Sequence, residues 1–121
     1  MGISVLIVDD DPSVIESLRQ AMAGHEVSFD TAVDAAAAAA LLDARSYCGV
    51  VLDLALRDSS GFDVLRHMSE RGSHVPTVVI TEKLPVYVRE MLDEEQVKLV
   101  FPKPVESRLL AAAVKGLCGI V

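Results

Sequence analysis

Short aliphatic runs recur along the chain, each closed by polar or turn-forming residues and most followed by a stretch of helical periodicity. Ile3 to Val8 is the first run, ending in Asp9-Asp10-Asp11-Pro12. Asp11 suits an N-cap and Pro12 the first helical position. Val14, Ile15, Leu18 and Met22 then share one helical face, and Gly24 stops the helix. Val27 to Thr31 reads as a short alternating strand. Residues 35 to 40 are all Ala, followed by Leu41 and Leu42, which predicts a helix of high intrinsic propensity anchored by two leucines. Cys48 to Asp53 is the third strand, and its run Val50-Val51-Leu52 is that of a strand buried on both faces. Ser60 can cap the next helix, with Asp63 completing a capping box, Phe62, Leu65 and Met68 facing inward, and Gly72 at the end. Val75 to Ile80 is the fourth strand, with Pro76 tolerated at its start and Thr81 ending it. A helix is expected from Pro85, with Val88, Met91 and Leu92 inward. Lys98 to Phe101 is the fifth strand, and Pro102 argues for a sheet edge. Pro104 then begins the last helix, with Val105, Leu109, Ala113 and Leu117 at helical spacing.

This is a strand–helix unit repeated five times with short connections, which demands a parallel sheet covered by helices on both faces. A length of 121 residues fits one domain spanning residues 1–121. The net charge of −7 and an aromatic content of 4% argue against direct nucleic-acid binding. There is no apolar run long enough to span a bilayer and no basic start of a signal peptide, so a cytoplasmic protein without a membrane partner is expected. Cys48 and Cys118 lie far apart in the sequence and are expected to be reduced thiols.

In a parallel sheet all carboxyl ends of the strands lie on one side. Asp9 and Asp10 end the first strand, Asp53 the third and Thr81 the fourth, while the fifth leads to Lys103. Ligands of open α/β sheets bind at that rim. Clustered carboxylates raise one another's pKa unless a cation joins them, and hard oxygen ligands with room for waters favour Mg2+. A lysine and a metal beside Asp53 would neutralise a phosphoryl group arriving on it, and the Thr81 hydroxyl would donate to a phosphoryl oxygen. Each residue also has a plain structural reading. Asp53 could end a strand and cap a turn, Asp9 and Asp10 could serve a helix N-terminus, and Thr81 could bond to backbone.

Four motifs in this order, Val5-Leu6-Ile7-Val8-Asp9-Asp10-Asp11, Val51-Leu52-Asp53-Leu54 with Gly61, Val78-Val79-Ile80-Thr81 and Phe101-Pro102-Lys103-Pro104, cover nearly the whole length. The chain resembles the receiver domain of two-component response regulators. The resemblance implies a flavodoxin-like, doubly wound α/β fold: five parallel strands in order 2-1-3-4-5 with five helices. It implies Asp53 as phosphoacceptor, served by a sensor histidine kinase. It implies Mg2+ bound directly by Asp10 and Asp53, by Asp9 mainly through water, and by the backbone carbonyl of Ala55. Thr81 would bind the phosphoryl group, Lys103 would pair with it, and the Lys103–Pro104 bond would be cis. The output surface would be the fourth helix, fifth strand and fifth helix, acting on an output domain in a longer chain or on a partner protein. Pairing of two copies through the last helix would be eased by Ala111 and Ala112.

The sequence departs from the family pattern at Val100, where an aromatic residue is common, and at Glu82, where a small residue is usual. Arg57 replaces a proline after the acceptor loop, and Glu94-Glu95-Gln96 replaces a Gly-Ala before the fifth strand. These departures motivate a competing expectation, a degenerate receiver that binds partners without phosphorylation. An aspartyl phosphatase of the haloacid dehalogenase type is excluded because the required second Asp is Ala55. A flavin carrier is excluded because Asp9-Asp10-Asp11 would repel the flavin phosphate. The expected protein is therefore a phosphoacceptor signalling domain, catalysing only its own phosphorylation and dephosphorylation, rather than a turnover enzyme.

Overall fold

The computed structural model describes residues 2–82 and 96–120. The expected helix beginning at Pro85 lies outside the described residues. The described elements, in chain order, are β1 (Ile3–Val8), α1 (Pro12–Ala21), β2 (Val27–Ala32), α2 (Ala35–Ala44), β3 (Gly49–Asp53), α3 (Gly61–Glu70), β4 (Thr77–Thr81), β5 (Val97–Pro102) and α4 (Ser107–Cys118). The five strands form one sheet in the order β2-β1-β3-β4-β5, and every pairing is parallel. The alternation of hydrophobic runs and helical stripes thus builds the expected doubly wound architecture, with four helices among the described residues.

Burial follows the position of each strand in the sheet. All five residues of β3 and of β4 are buried, as befits strands covered on both faces. The edge strands β2 and β5 are largely half-exposed. Leu6, Val8, Leu52 and Val79 meet α2 and α3 through Ala38, Val64, Leu65 and Met68. Val5, Ile7, Val51 and Ile80 meet α1 and α4 through Leu18, Met22, Leu110 and Val114. In α2 the alanines supply propensity, Ala38 is buried, and Leu41 and Leu42 pack on the core beside it.

The capping signals fall where the sequence put them. Asp11 accepts from the Ser13 N–H at 2.9 Å at the start of α1, with Pro12 as the first helical residue. Ser60 and Asp63 form the capping box of α3. Gly72 adopts φ +66 just beyond the end of that helix, a left-handed conformation that suits glycine.

Three expectations are corrected. The last helix begins at Ser107, because Glu106 is still extended (φ −62, ψ 132) and serves as its N-cap; Pro104 lies before it, after a cis Lys103–Pro104 bond. Its inward stripe is therefore Leu110, Ala113, Val114 and Leu117, while Leu109 is 50% exposed and Ala111 is buried rather than free for a second copy. Finally, Cys48 and Cys118 are joined in a disulfide, with Cα atoms 5.2 Å apart. A helix returning antiparallel to its strand ends at the rim where the strands begin, so 70 residues of separation in sequence close to bonding distance in space.

One irregularity sets the register beside the site. Thr77 pairs with Val97 but Val78 pairs with Leu99, so Lys98 is an extra residue on β5. The slip advances β5 by one position and brings Thr81 opposite Pro102, immediately before Lys103. It also decides which face each side chain meets. Val100 packs on the α2–α3 side, and the adjacent Phe101 packs on the α1–α4 side, as strand alternation requires.

Candidate phosphoacceptor site

The carboxyl ends of β1, β3, β4 and β5 bring the expected groups to one rim. Oxygen atoms of Asp9, Asp10 and Asp53 all lie within 4.8 Å of one another. Asp9 is fully buried, Asp53 nearly so, and Asp10 half-buried. Lys103 reaches across from the end of β5 and donates to Asp53 Oδ2 at 2.8 Å. Its Nζ also lies 3.2 Å from Asp9 Oδ2 and 3.5 Å from Asp9 Oδ1.

Backbone hydrogen bonds fix the two buried carboxylates. The Asp11 N–H donates to Asp9 Oδ1 at 2.9 Å, and the Ala55 N–H donates to Asp53 Oδ1 at 3.0 Å. Both are Asx-type bonds to the residue two positions on, so each carboxylate is oriented by the turn its own strand runs into. Thr81, at the end of β4, is buried, and its carbonyl accepts from the Lys103 N–H at 2.7 Å. That bond ties the threonine and the lysine to one another through the main chain. Asp11 caps α1 with its side chain, accepting also from Ser13 Oγ at 2.7 Å. It thus acts as the cap the sequence suggested.

Gly61 has a steric reason to be glycine. A Cβ there would collide with the carbonyl oxygen of Asp53 and stand 2.8 Å from Leu54 Cα. The start of α3 packs directly onto the backbone that carries Asp53, and the Gly61 N–H donates to the Leu54 carbonyl at 2.9 Å.

The charges are unevenly satisfied. Burial pushes the Asp9 carboxyl up, helped by the Asp53 charge and opposed by the Asp11 N–H and by Lys103. Burial would lower Lys103, but its hydrogen bond to Asp53 and the nearby Asp9 charge outweigh that and raise it. Asp9 Oδ2 is buried without a hydrogen-bond partner, since the nearby ammonium is close but not aligned with it. An orphaned buried carboxylate oxygen among three converging carboxylates is the donor set a hard divalent cation takes. A cavity of about 410 Å3 opens beside the cluster, lined by Asp11, Ser13, Glu82, Lys103, Pro104 and Leu110.

The response regulator receiver domain family matches residues 5–115. The chain belongs to that family. It is 30% identical over 117 residues to the response regulator MprA of a Mycobacterium species, an alignment covering 97% of this chain and 51% of that protein. The chain thus spans about half the length of the curated relatives it matches. Among solved structures, the signal receiver domain of a LuxO repressor protein from Vibrio parahaemolyticus superposes with a TM-score of 0.88 at 20% identity, covering 98% of this chain and 92% of that one. The receiver domain of the Pseudomonas aeruginosa sensor histidine kinase PA1611 superposes with a TM-score of 0.79 at 20% identity, covering 98% and 99%. That structure holds a magnesium ion coordinated in its active site cleft.

In this receiver, Asp9, Asp10, Asp53 and Lys103 form one cluster, and Thr81 stands on the adjoining strand end bonded to Lys103. Ala55 enters through its N–H on Asp53 and is exposed. Sequence reasoning missed Ser59, whose Oγ accepts from the Ala35 N–H at 2.8 Å and ties the loop after Asp53 to the start of α2. Beside it, Asp34 accepts from the Ala37 N–H at 2.8 Å as the N-cap of the alanine run.

Proposed function

We propose that residues 1–121 are one receiver domain that accepts a phosphoryl group on Asp53 from the phosphohistidine of a sensor histidine kinase and changes its surface in response. The observation that carries this reading is the 2.8 Å bond from Lys103 to Asp53 inside a cluster of three carboxylates. An Asp53 oxygen attacks phosphorus, the P–N bond to the donor imidazole breaks, and an acyl phosphate forms. Lys103 then exchanges its carboxylate partner for a phosphoryl oxygen, and the Thr81 hydroxyl donates to another. Asp10, Asp53 and the Ala55 carbonyl would hold Mg2+ directly, with Asp9 acting mainly through water. When bound, the ion neutralises the carboxylates and the incoming phosphoryl oxygens. The domain modifies only itself and turns over no separate substrate. The extra length of the relatives supports an output domain in a longer chain or a partner protein as the recipient of the signal. Self-association through α4 would use Ala112 and its neighbours, since Ala111 is in the core. The acidic charge speaks against nucleic acid as a direct partner. Among the described residues no helix is long and apolar enough to cross a membrane. A phosphohistidine donor on a sensor kinase would place the domain in the cytoplasm.

A second reading is favoured by Glu82, which lines the cavity next to Lys103, and by Val100 where an aromatic switch residue is common. There the domain binds a partner without phosphorylation. Titration with beryllium fluoride and Mg2+, followed by amide NMR shifts, separates the two. Saturable shifts at Asp53, Thr81 and Lys103 that spread into α4 are expected. Absence of any shift would overturn the phosphorylation reading in favour of the second. Asp53→Asn should abolish acyl-phosphate labelling while the fold persists; equal labelling of the variant would sink the assignment of Asp53.

A further inference from the structure

We propose that Cys48 and Cys118 are a reversible thiol–disulfide site that fastens the last turn of α4 to the start of β3 when oxidised and releases it when reduced. The two halves of the site differ in how they are held. Cys48 is fixed by the sheet, its N–H donating to the Ser4 carbonyl at 2.9 Å. Cys118 is the last residue of α4, followed by Gly119 in the left-handed conformation at φ +66. This end is also capped, the Gly119 and Ile120 N–H groups both donating to the Lys115 carbonyl, but a terminal turn opens more readily than the rest of a helix, so without the covalent link it is the part of α4 that would open first.

The surroundings leave room for the joined sulfurs. Gly49, next to Cys48, presents no side chain: a Cβ there would stand 3.2 Å from Leu117 Cδ1 and 3.4 Å from Cys118 Sγ. Both cysteines are half-buried and pack on the margin of the α1–α4 core, so the pair lies near the surface of the domain and not in its interior. The pair lies at the amino ends of the strands, opposite the carboxylate cluster. Its chemistry therefore does not compete with that of Asp53. The same helix has Leu110 on the cavity that Lys103 also lines. Resting on the phosphoacceptor reading, this places two inputs on the two ends of one helix.

The co-reactant is a disulfide, either of a low-molecular-weight thiol or of a dithiol carrier. The Cys118 thiolate attacks one of its sulfurs, forming a mixed disulfide and expelling a thiolate. The Cys48 thiolate then displaces the second sulfur. Two protein thiols become one disulfide, two electrons pass to the co-reactant, and the two protons end on its thiols. In a reducing compartment such a pair is transient or redox-sensing rather than permanent.

The test uses the full chain equilibrated with mixtures of reduced and oxidised glutathione, quenched by alkylation and read by mass. One reversible two-thiol transition is expected, identical when approached from either side. Reduction should speed amide exchange over residues 114–120 by roughly tenfold through local opening, with little dependence on denaturant, whereas β1 and β3 should change only through global unfolding, with its full denaturant dependence. Cys118→Ser should exchange at the reduced rate in every mixture, and Cys48→Ala gives the same reading if the first variant fails to fold. Three results would each overturn the proposal: no disulfide at any ratio, a disulfide that yields only after denaturation, or faster exchange over residues 114–120 with the same denaturant dependence as β1 and β3. The glutathione transition is independent of phosphorylation, so failure of the phosphoacceptor reading would leave it unchanged.

Discussion

At the carboxyl ends of β1, β3 and β5 the chain gathers like charges and holds them with one lysine. At the amino end of β3 it gathers small and apolar groups and joins them with a disulfide. The two rims belong to the same strands, so the difference is one of chemistry and not of scaffold. Asp9 is buried with one oxygen unpartnered, a state the fold tolerates at some expense of stability. Across the sheet, Gly49 removes a side chain so that Leu117 and Cys118 can approach. One rim keeps a buried carboxylate oxygen without a hydrogen bond for something that arrives, while at the other, among the described residues, no buried side-chain polar atom lacks a partner. A parallel sheet permits this division because every strand contributes one end to each rim.

The sharpest way to break the comparison is to remove the lysine. Lys103→Met leaves Asp9 and Asp53 buried with their shared cation gone, and should lower stability by about 3–5 kcal/mol at neutral pH in urea unfolding without divalent metal. An unchanged midpoint would mean that the carboxylates are not held by that ion pair. Reducing the disulfide should lower stability by about 2–4 kcal/mol, because the closed loop is long. Comparison of reduced and oxidised protein by the same unfolding measurement checks it. Gly61→Ala pushes a methyl into the Asp53 carbonyl, and should destabilise by roughly 1–3 kcal/mol and weaken Mg2+ binding as well.

Asp9→Asn sharpens the contrast in the opposite direction. Burial raises the Asp9 pKa above its ordinary 3.8, so this group's contribution to stability is fully present below that value and is lost as pH rises through the raised one. Neutralising it should therefore raise stability by about 1–2 kcal/mol at neutral pH without metal, and the gain should vanish in acid. A variant less stable than the parent at neutral pH would show that the charge is fully compensated. The smallest effect belongs to Tyr47, at the amino rim, whose hydroxyl donates to Asp30 at 2.7 Å. Burial, then the bond to Asp30, push it up to about 12, so stability should be retained below its ordinary 10.0 and lost as pH rises toward 12. Tyr47→Phe should lower stability by about 1 kcal/mol and abolish that alkaline slope.

The carboxylate rim was largely legible in the sequence, because strand-terminal residues announce themselves where an aliphatic run stops. Asp9, Asp53, Thr81 and Lys103 could each be placed from a neighbouring run, and a parallel sheet then brings the ends together. The opposite rim was not legible in the same way. Strand starts are blurred: β3 begins at Gly49 rather than Cys48, and β4 at Thr77 rather than Val75. The expected start of α4 at Pro104 gives way to Ser107, with Glu106 as its N-cap. The stripe that packs on the core also runs through Leu110 and Val114, leaving Leu109 exposed, and the helix ends at Cys118 beside β3. The extra residue at Lys98 left no sequence signal, since a bulge is a property of two strands and not of one. The side chain of Gln96, buried beside α3 and donating to the Leu65 carbonyl at 3.5 Å, was equally hidden in an acidic stretch.

The separation of the rims offers a practical handle. β3 is five residues long, so its ends are four steps of ~3.3 Å, about 13 Å, apart. A single cysteine left at position 118 by Cys48→Ala would carry a spin label or dye on the far side of the molecule from Asp53. Such a tag would report over that span on whatever occupies the carboxylates, without touching them.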